Sequence, residues 1–305
     1  EGGFDRELTL AVTGDYFDIF ETQGFTPEPA ESTRDGEMLY LPFTAPQGEM
    51  GAEVGASVLK RFQTVFGLGP EPFLEAARSA RDAFRHPVET LGFFEIAPDA
   101  TVIEISPGGG WYTDILAPYL RAHGHFIGAI WDESLPDQPA YYARLNQQLT
   151  DKIAAAPDVY GEPELRRFNA KAPSFGEPAS ADVVLTFRNA HNWIGAGTAP
   201  AYFQAFFDVL KPGGTLGVVD HRAKGETATA GKTGYVTEQQ IIDLATAAGF
   251  RFAGRSEVNA NPADTADHPK GVWTLPPSYA LGDEDREKYA AIGESDRMTL
   301  RFVKP

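Results

Sequence analysis

The chain contains 305 residues, of which 42% are hydrophobic and 23% charged, and its formal net charge is −17. This composition predicts a globular protein with a sizeable core and excludes an intrinsically disordered chain. The acidic excess disfavours nucleic acid and anionic membrane surfaces as partners, because proteins that bind them need clustered cations. No apolar run approaches 18 residues, so no membrane span is predicted. The absence of cysteine excludes disulfides, thiolate metal sites and a cysteine nucleophile.

The N-terminal part of the chain, residues 1–72, is irregular in pattern and rich in glycine and proline. Helices are predicted over about 52–66 and 72–84 from apolar residues at helical spacing. Because its apolar stretches are short, we expect residues 1–72 to pack on the main domain as an extension. The chain begins with Glu1 and not with Met. That start fits an exported protein, periplasmic or secreted, whose signal peptide is removed, and equally a trimmed cytoplasmic protein.

The main domain is predicted over residues 73–305, and strands alternate with helices from residue 100 onward. Such alternation predicts right-handed βαβ units and a mostly parallel sheet. The last two strands break the alternation, which favours an antiparallel strand at one edge of the sheet. The predicted strands are 101–105, 126–130, 165–168, 182–187, 216–220, 250–258 and 298–303. The predicted helices are 111–122, 138–155, 199–210 and 237–248.

A glycine-rich turn, residues 106–110, joins the first of these strands to the following helix. Open α/β sheets bind ligands at the carboxyl ends of their strands. Glycines let a ligand approach the backbone, and the start of a helix offers free N–H groups. The turn lacks the Gly-Lys-Ser/Thr of a phosphate-binding loop, and Thr113 replaces the third glycine of a dinucleotide-binding turn. We therefore predict a ligand pocket over residues 106–112; a phosphate-binding loop is excluded, and a dinucleotide-binding turn is disfavoured by Thr113.

Residues 104–110, Glu-Ile-Ser-Pro-Gly-Gly-Gly, resemble motif I of the class I S-adenosylmethionine-dependent methyltransferases. The resemblance covers about residues 85–305 and includes Leu-Lys-Pro-Gly-Gly at 210–214, before the fifth strand. Three segments are also similar to a bacterial group of predicted methyltransferases, many with export signals: 85–87, 110–113 and 188–193. The resemblance implies S-adenosylmethionine as the cofactor. It also implies a seven-stranded Rossmann-like sheet whose final strand is antiparallel.

The resemblance places the cofactor against the glycine turn. Glu104 would order the turn or meet the ammonium group of the cofactor. The family has an acid for the ribose at the end of the second strand, where this chain has Ile130, and the nearest acid is Asp132. Asn169 takes the position of the family's acid near the adenine amine. The implied cofactor-binding residues are Glu104, Ser106, Pro107, Gly108, Gly109, Gly110, Trp111, Asp132, Asn169, Arg188 and Asn189.

In this fold the loop after the fourth strand faces the methyl group, and here it contains His191. We predict His191 as the base that deprotonates the acceptor, because imidazole is close to half-deprotonated at neutral pH. Three other residues are further catalytic candidates: His221 at the end of the fifth strand, His86 before the first strand, and Tyr112. No metal site is predicted, because Asp220 and His221 alone supply too few ligands.

We predict methyl transfer to oxygen, nitrogen or sulfur of a small-molecule acceptor. The Asn-Pro-Pro-Tyr motif of amino-group nucleic acid methylation is replaced by Phe-Arg-Asn-Ala at 187–190, which further disfavours nucleic acid. Two alternatives stay open. One is a non-catalytic or repurposed binding protein on this fold, suggested by Ile130, Asn169 and possible export. The other is a nicotinamide-dependent oxidoreductase, which Thr113 disfavours. The sequence does not predict an oligomeric state.

Overall fold

The computed structural model describes residues 81–136, 138–225 and 230–305, together with four strands nearer the N-terminus. The chain divides into two units, Glu1–Val88 and Glu89–Pro305, which are described separately. The helix predicted over 52–66, most of the one predicted over 72–84, and the predicted domain boundary at residue 72 lie outside the described residues. None of the described helices combines the length and apolar character that crossing a bilayer requires.

The N-terminal unit contains a small antiparallel sheet in which β4 pairs with the three other strands. The sequence did not predict these strands, since prolines and glycines interrupt the alternation of apolar residues. A short helix then ends at His86, whose φ of 39° closes it, and Pro87 begins the next helix, as proline suits a first helical position. The elements of this unit are β1 (Leu8–Val12), β2 (Thr26–Pro27), β3 (Thr33–Asp35), β4 (Met38–Thr44) and α1 (Asp82–Arg85). Helix α2 (Pro87–Phe93) begins in this unit and continues into the next.

The C-terminal unit contains the alternating strands and helices that the sequence predicts. Its strands are β5 (Thr101–Ile105), β6 (His125–Trp131), β7 (Glu164–Phe168), β8 (Ala181–Phe187), β9 (Leu210–His221), β10 (Arg251–Ser256) and β11 (Arg297–Val303). Its helices are α3 (Thr113–Leu120), α4 (Ala140–Ala155), α5 (Pro157–Tyr160), α6 (Ala190–Gly195), α7 (Ala199–Val209), α8 (Ala230–Thr233), α9 (Glu238–Ala247) and α10 (Arg286–Ile292), with a 3₁₀ helix at Gly271–Thr274.

One seven-stranded sheet organises this unit, in the order β10-β11-β9-β8-β5-β6-β7. The five strands from β5 to β9 run parallel, and β11 is antiparallel to both of its neighbours. The predicted Rossmann-like α/β class is therefore confirmed. The antiparallel strand lies between β9 and β10, one position in from the edge, and not at the edge itself.

Local sequence explains most element boundaries. Thr237 and Gln240 form a capping box at the start of α9, and Gly249 follows its end with a φ of 105°. Strand β9 begins at Leu210, earlier than predicted, because the Lys-Pro-Gly-Gly segment bonds the end of the chain: Gly213 N–H donates to the carbonyl oxygen of Lys304. Buried aromatic residues of α7 fill the core beside the sheet, and Trp193 stacks on Tyr202 with ring centroids 4.1 Å apart.

The parallel strands end at one edge of the sheet, where the loops after β5, β8 and β9 lie side by side. The register sets this: Ile105 pairs with Thr186, and Phe187 pairs with Val219. The long connection between β10 and β11, residues 257–296, also reaches this edge, since Ser295 bonds His221. Four segments distant in sequence therefore meet at the position where ligands of such sheets bind.

Candidate functional site

The turn after β5 holds three residues in the left-handed region, Ser106 at φ 49°, Gly108 at 59° and Gly110 at 73°. The turn is anchored by Ser106 N–H, which donates to the carbonyl oxygen of Ala129 in β6 at 2.9 Å. No atom of the described residues lies within 4 Å of where a Cβ on Gly108 or Gly109 would stand. At Gly110, by contrast, a Cβ would lie 2.6 Å from Leu149 Cδ1 in α4. The turn thus presents bare backbone to open space at two glycines and packs tightly at the third.

Three buried polar side chains lie at this turn, those of Glu104, Ser106 and Thr113. Thr113 Oγ1 donates to Glu104 Oε2 at 2.6 Å. Burial raises the pKa of Glu104 to about 7, although the Thr113 hydrogen bond and the charge of Lys152 lower it. The hydroxyl of Ser106 is buried and bonds none of the described residues. The Glu104 carboxyl group and the Ser106 hydroxyl lie next to the open backbone of the turn and are suited to polar ligand contacts.

Lys152 of α4 fixes the outer side of the turn. Its Nζ donates to the carbonyl oxygen of Gly109 at 2.5 Å and to Asp114 Oδ1 at 3.0 Å. Asp114 is buried and also accepts from the hydroxyl of Tyr160 at 2.8 Å. This network joins the turn, α3, α4 and α5. Sequence reasoning missed it, because Lys152 and Tyr160 are separated from the turn by a strand and a helix and carry no local motif.

The aromatic residues after the turn pack inside the protein. Tyr112 stacks on Phe187 at the end of β8, with centroids 3.5 Å apart and planes 10° apart, and Trp111 meets Tyr112 edge-on. Both side chains are buried. The observed contacts are those of packing between two strand ends, and the catalytic role of Tyr112 stays a prediction.

The position at which the resemblance implies a ribose-binding acid is apolar in this protein. Ile130 is buried, and Trp131 beside it stacks on Tyr142 with centroids 4.3 Å apart and planes 1° apart. Asp132 follows β6 and accepts from the Ser134 hydroxyl at 2.6 Å. Beyond β7, Asn169 Oδ1 accepts from Lys171 N–H at 2.9 Å, which closes a local turn. The Trp131–Tyr142 pair was not predicted.

The loop after β8 is tied to the neighbouring strands on both sides. Asn189 Nδ2 donates to the carbonyl oxygen of Ile105 at 2.9 Å, at the end of β5. Arg188 has a φ of 62°, and its N–H donates to the carbonyl oxygen of Val219 in β9 at 2.7 Å. These bonds fix the loop directly beside the glycine turn.

A buried carboxylate, Asp220 at the end of β9, orients His191 in this loop. Asp220 Oδ1 accepts from His191 Nδ1 at 2.8 Å, and Oδ2 accepts from the backbone N–H of His191 at 3.0 Å. The backbone N–H of His221 also donates to Oδ1, at 2.7 Å. Because Asp220 holds the proton of His191 on Nδ1, the other ring nitrogen, Nε2, is an acceptor.

His221 lies beside His191, with ring centroids 5.2 Å apart. Its Nδ1 shares a hydrogen bond of 2.5 Å with Ser295 Oγ. Burial, with the charges of Arg188 and Arg297, holds the pKa of His221 well below its usual value, so the ring is neutral. The fold thus brings His191, Asp220 and His221 into one buried cluster.

The long connection before β11 completes the surroundings of this cluster. Trp273 lies 6.2 Å from His191 between ring centroids and is partly exposed. In the same connection, buried Asp264 accepts from the Tyr235 hydroxyl at 3.0 Å and bonds His268 at 2.8 Å. Sequence reasoning did not single out these residues, since their segments are aperiodic.

His86 belongs to the N-terminal unit, where it closes α1. Its Nδ1 is buried and bonds none of the residues that the structure describes. Its assignment as a catalytic candidate stays a prediction.

No protein-family model matches the chain, and no curated protein matches its sequence. Solved structures, by contrast, are similar to the chain in fold. The [4+2]-cyclase SpnF is 16% identical, with 86% of this chain and 97% of that chain covered, at a TM-score of 0.51. A SAM-dependent methyltransferase from Aquifex aeolicus is 13% identical, with 74% and 93% covered and a TM-score of 0.49. A structure described as SAM-dependent methyltransferases from Methanosarcina mazei is 13% identical, with 70% and 96% covered and a TM-score of 0.44. At these identities the similarity shows the fold alone. The fold implied by the resemblance of residues 104–110 is therefore confirmed.

Proposed function

We propose that this protein, which has the class I methyltransferase fold, binds S-adenosylmethionine against the turn 106–110 and transfers its methyl group to a small-molecule acceptor beside His191. The observation that carries the proposal is the open backbone of Gly108 and Gly109 at the central edge of the sheet, next to an oriented histidine. The similar structures that are SAM-dependent methyltransferases support the same cofactor class.

The residues around the turn fit such a cofactor. Side chains are missing where a ligand must approach closely, and the buried Ser106 hydroxyl, which bonds no described residue, is available to a polar atom of the ligand. Glu104 orders the turn through Thr113. At the ribose and adenine positions, Asp132 and Asn169 supply polar atoms, and the Trp131–Tyr142 stack supplies an apolar surface. When bound, the cofactor supplies a methyl group on a positively charged sulfur.

His191 deprotonates the acceptor in this proposal. Asp220 accepts from Nδ1 and from two backbone N–H groups, so the ring is held in one tautomer and one orientation. Nε2 then takes a proton from the acceptor hydroxyl, amine or thiol as the methyl group is transferred, and the buried carboxylate stabilises the imidazolium that forms. Trp273 borders this position.

A second candidate function is a protein that keeps the fold without methyl transfer. It is favoured by Ile130, which is buried at the position of the family's ribose acid. Among the similar structures, SpnF is a [4+2]-cyclase. The two candidates differ in whether a methyl group leaves the cofactor.

Isothermal titration of the full chain with S-adenosylmethionine, S-adenosylhomocysteine and NAD⁺ tests cofactor binding. We expect one equivalent of each of the first two to bind and NAD⁺ not to bind. A screen of phenols, amines and thiols with methyl-labelled S-adenosylmethionine then tests transfer. A labelled product supports methyl transfer; binding without product from any acceptor supports the second candidate. If neither S-adenosyl compound binds, the proposal is wrong.

A further inference from the structure

Two imidazoles lie almost completely buried at the acceptor side of the sheet edge. His191 is 4% exposed and His221 is 7% exposed. Each ring is held through Nδ1 by an oxygen, Asp220 Oδ1 for His191 and Ser295 Oγ for His221. In both rings only Nδ1 takes part in a hydrogen bond with a described residue. Nε2 of each ring therefore has no hydrogen-bond partner among the described residues.

This is the arrangement that metal-binding histidines have in proteins. Their second ring nitrogen is bound to a carboxylate, hydroxyl or carbonyl, which fixes the tautomer and the ring orientation and raises the basicity of the ligating nitrogen. We infer that His191 and His221 bind one divalent transition-metal ion through their Nε2 atoms, with Asp220 and Ser295 as the outer partners of the two rings.

The spacing of the rings fits this inference. With a metal–nitrogen bond of about 2.1 Å, the centroid of a ligating imidazole lies about 3.3 Å from the metal. The centroids of His191 and His221 are 5.2 Å apart. Two such centroids subtend an angle of about 105° at the metal, between the roughly 90° of octahedral and the roughly 109° of tetrahedral coordination.

The donor set selects the class of ion. Imidazole nitrogen suits Zn²⁺, Co²⁺, Ni²⁺ and Cu²⁺, whereas Mg²⁺ and Ca²⁺ prefer oxygen. The buried carboxylate of Asp220 supplies negative charge to the cluster. Two cations act electrostatically on His221: Arg188, and Arg297, which is paired with Glu294 at 2.6 Å. With two protein ligands, the remaining coordination positions belong to water or to an acceptor.

The inference does not depend on cofactor binding and goes beyond the proposed function. It has one consequence for that function: a metal ion on Nε2 of His191 occupies the lone pair that takes the acceptor's proton. Zn²⁺ is therefore expected to inhibit methyl transfer, over the same concentration range in which it binds.

The test is a calorimetric titration of the EDTA-dialysed full chain with Zn²⁺ and, separately, Mg²⁺, together with the visible absorption spectrum of the Co²⁺-loaded protein. We expect one Zn²⁺ per chain and no measurable Mg²⁺ binding. His191→Asn and His221→Asn should each weaken Zn²⁺ binding at least 100-fold. Ser295→Ala, which removes an outer partner, should weaken it about 10- to 100-fold. The matched control is His123→Ala, an exposed histidine before β6 at the opposite edge.

The inference is overturned if Zn²⁺ does not bind, if both asparagine variants bind it as tightly as the parent, or if His123→Ala removes binding. Near-UV circular dichroism shows whether each variant is folded, and His191→Gln serves where the asparagine variant is not. Titration of the same samples with S-adenosylhomocysteine separates the two proposals, because Zn²⁺ binding without cofactor binding refutes only the proposed function.

Discussion

Alanine substitutions at Gly108 and Gly110 separate ligand contact from packing within one turn. Both residues have positive φ, 59° and 73°, so each substitution adds about 1–2 kcal/mol of backbone strain. At Gly110 the new Cβ would also lie 2.6 Å from Leu149 Cδ1 and 3.3 Å from Thr113 Cβ. Overpacking of this kind adds about 1–3 kcal/mol. Gly110→Ala should therefore lower the free energy of unfolding by about 2–5 kcal/mol, and Gly108→Ala by only about 1–2 kcal/mol.

These energies translate into distinct melting temperatures. In a unit of this size, 1 kcal/mol corresponds to about 2–4 °C in Tm. We expect Tm to fall by about 2–8 °C in Gly108→Ala and by about 4–20 °C in Gly110→Ala. Gly109 has no positive φ and the same open surroundings as Gly108. Gly109→Ala should therefore leave Tm nearly unchanged and serves as the control for stability.

Binding of S-adenosylhomocysteine should follow a different order. A methyl group on Gly108 enters the space assigned to the ligand, so we expect at least tenfold weaker binding by calorimetry at a temperature where the variant is folded. Folded Gly110→Ala should bind within a few-fold of the parent, because its methyl group faces α4. If folded Gly108→Ala binds as tightly as the parent, the ligand does not lie against this turn.

Two further predictions concern His191 and Glu104. His191→Ala should reduce turnover about 100-fold or more while S-adenosylhomocysteine binding stays within a few-fold of the parent. His123→Ala is the control and should keep full turnover. If His191→Ala also keeps full turnover on the best acceptor, the role of His191 is structural. Burial raises the pKa of Glu104 from 4.5 to about 7, so the folded state favours the protonated carboxyl group. The free energy of unfolding of the ligand-free parent therefore falls by about 3 kcal/mol as the pH rises from 4.5 through 7. In urea unfolding, the stability of Glu104→Gln relative to the parent should therefore increase by about 3 kcal/mol between pH 4.5 and pH 8; an equal difference at both pH values would contradict the burial argument.

Much of the C-terminal fold is predictable from local sequence. The apolar runs of β5, β6 and β8 and the capping residues of α9 specify their elements with little help from distant residues. The place of β11 is not specified in this way, because its insertion between β9 and β10 depends on pairing with strands on both sides. Strand β4 went unpredicted because Pro42 interrupts its apolar run.

The candidate site, like the fold, is only partly predictable from local sequence. The glycine turn, His191 in the loop region after β8 and His221 at the end of β9 are visible in the sequence, since each stands at the carboxyl end of an apolar strand. The bond between His191 and Asp220 joins residues 29 positions apart, and it follows only from the adjacency of β8 and β9. Ser295 and Trp273 come from the aperiodic connection before β11, where no periodic pattern marks a functional residue.

The two halves of the candidate site are held by separate sets of bonds. Lys152 and Asp114 fix the glycine turn from the side of α3 and α4, whereas Asp220 fixes the loop after β8 from the side of β9. Asn189 links them through the carbonyl oxygen of Ile105. Because the orienting groups differ, a change at Gly108 should act on the cofactor and a change at His191 on the acceptor. The link through Asn189 fixes how far apart the two halves lie, and the proposed methyl transfer depends on that distance.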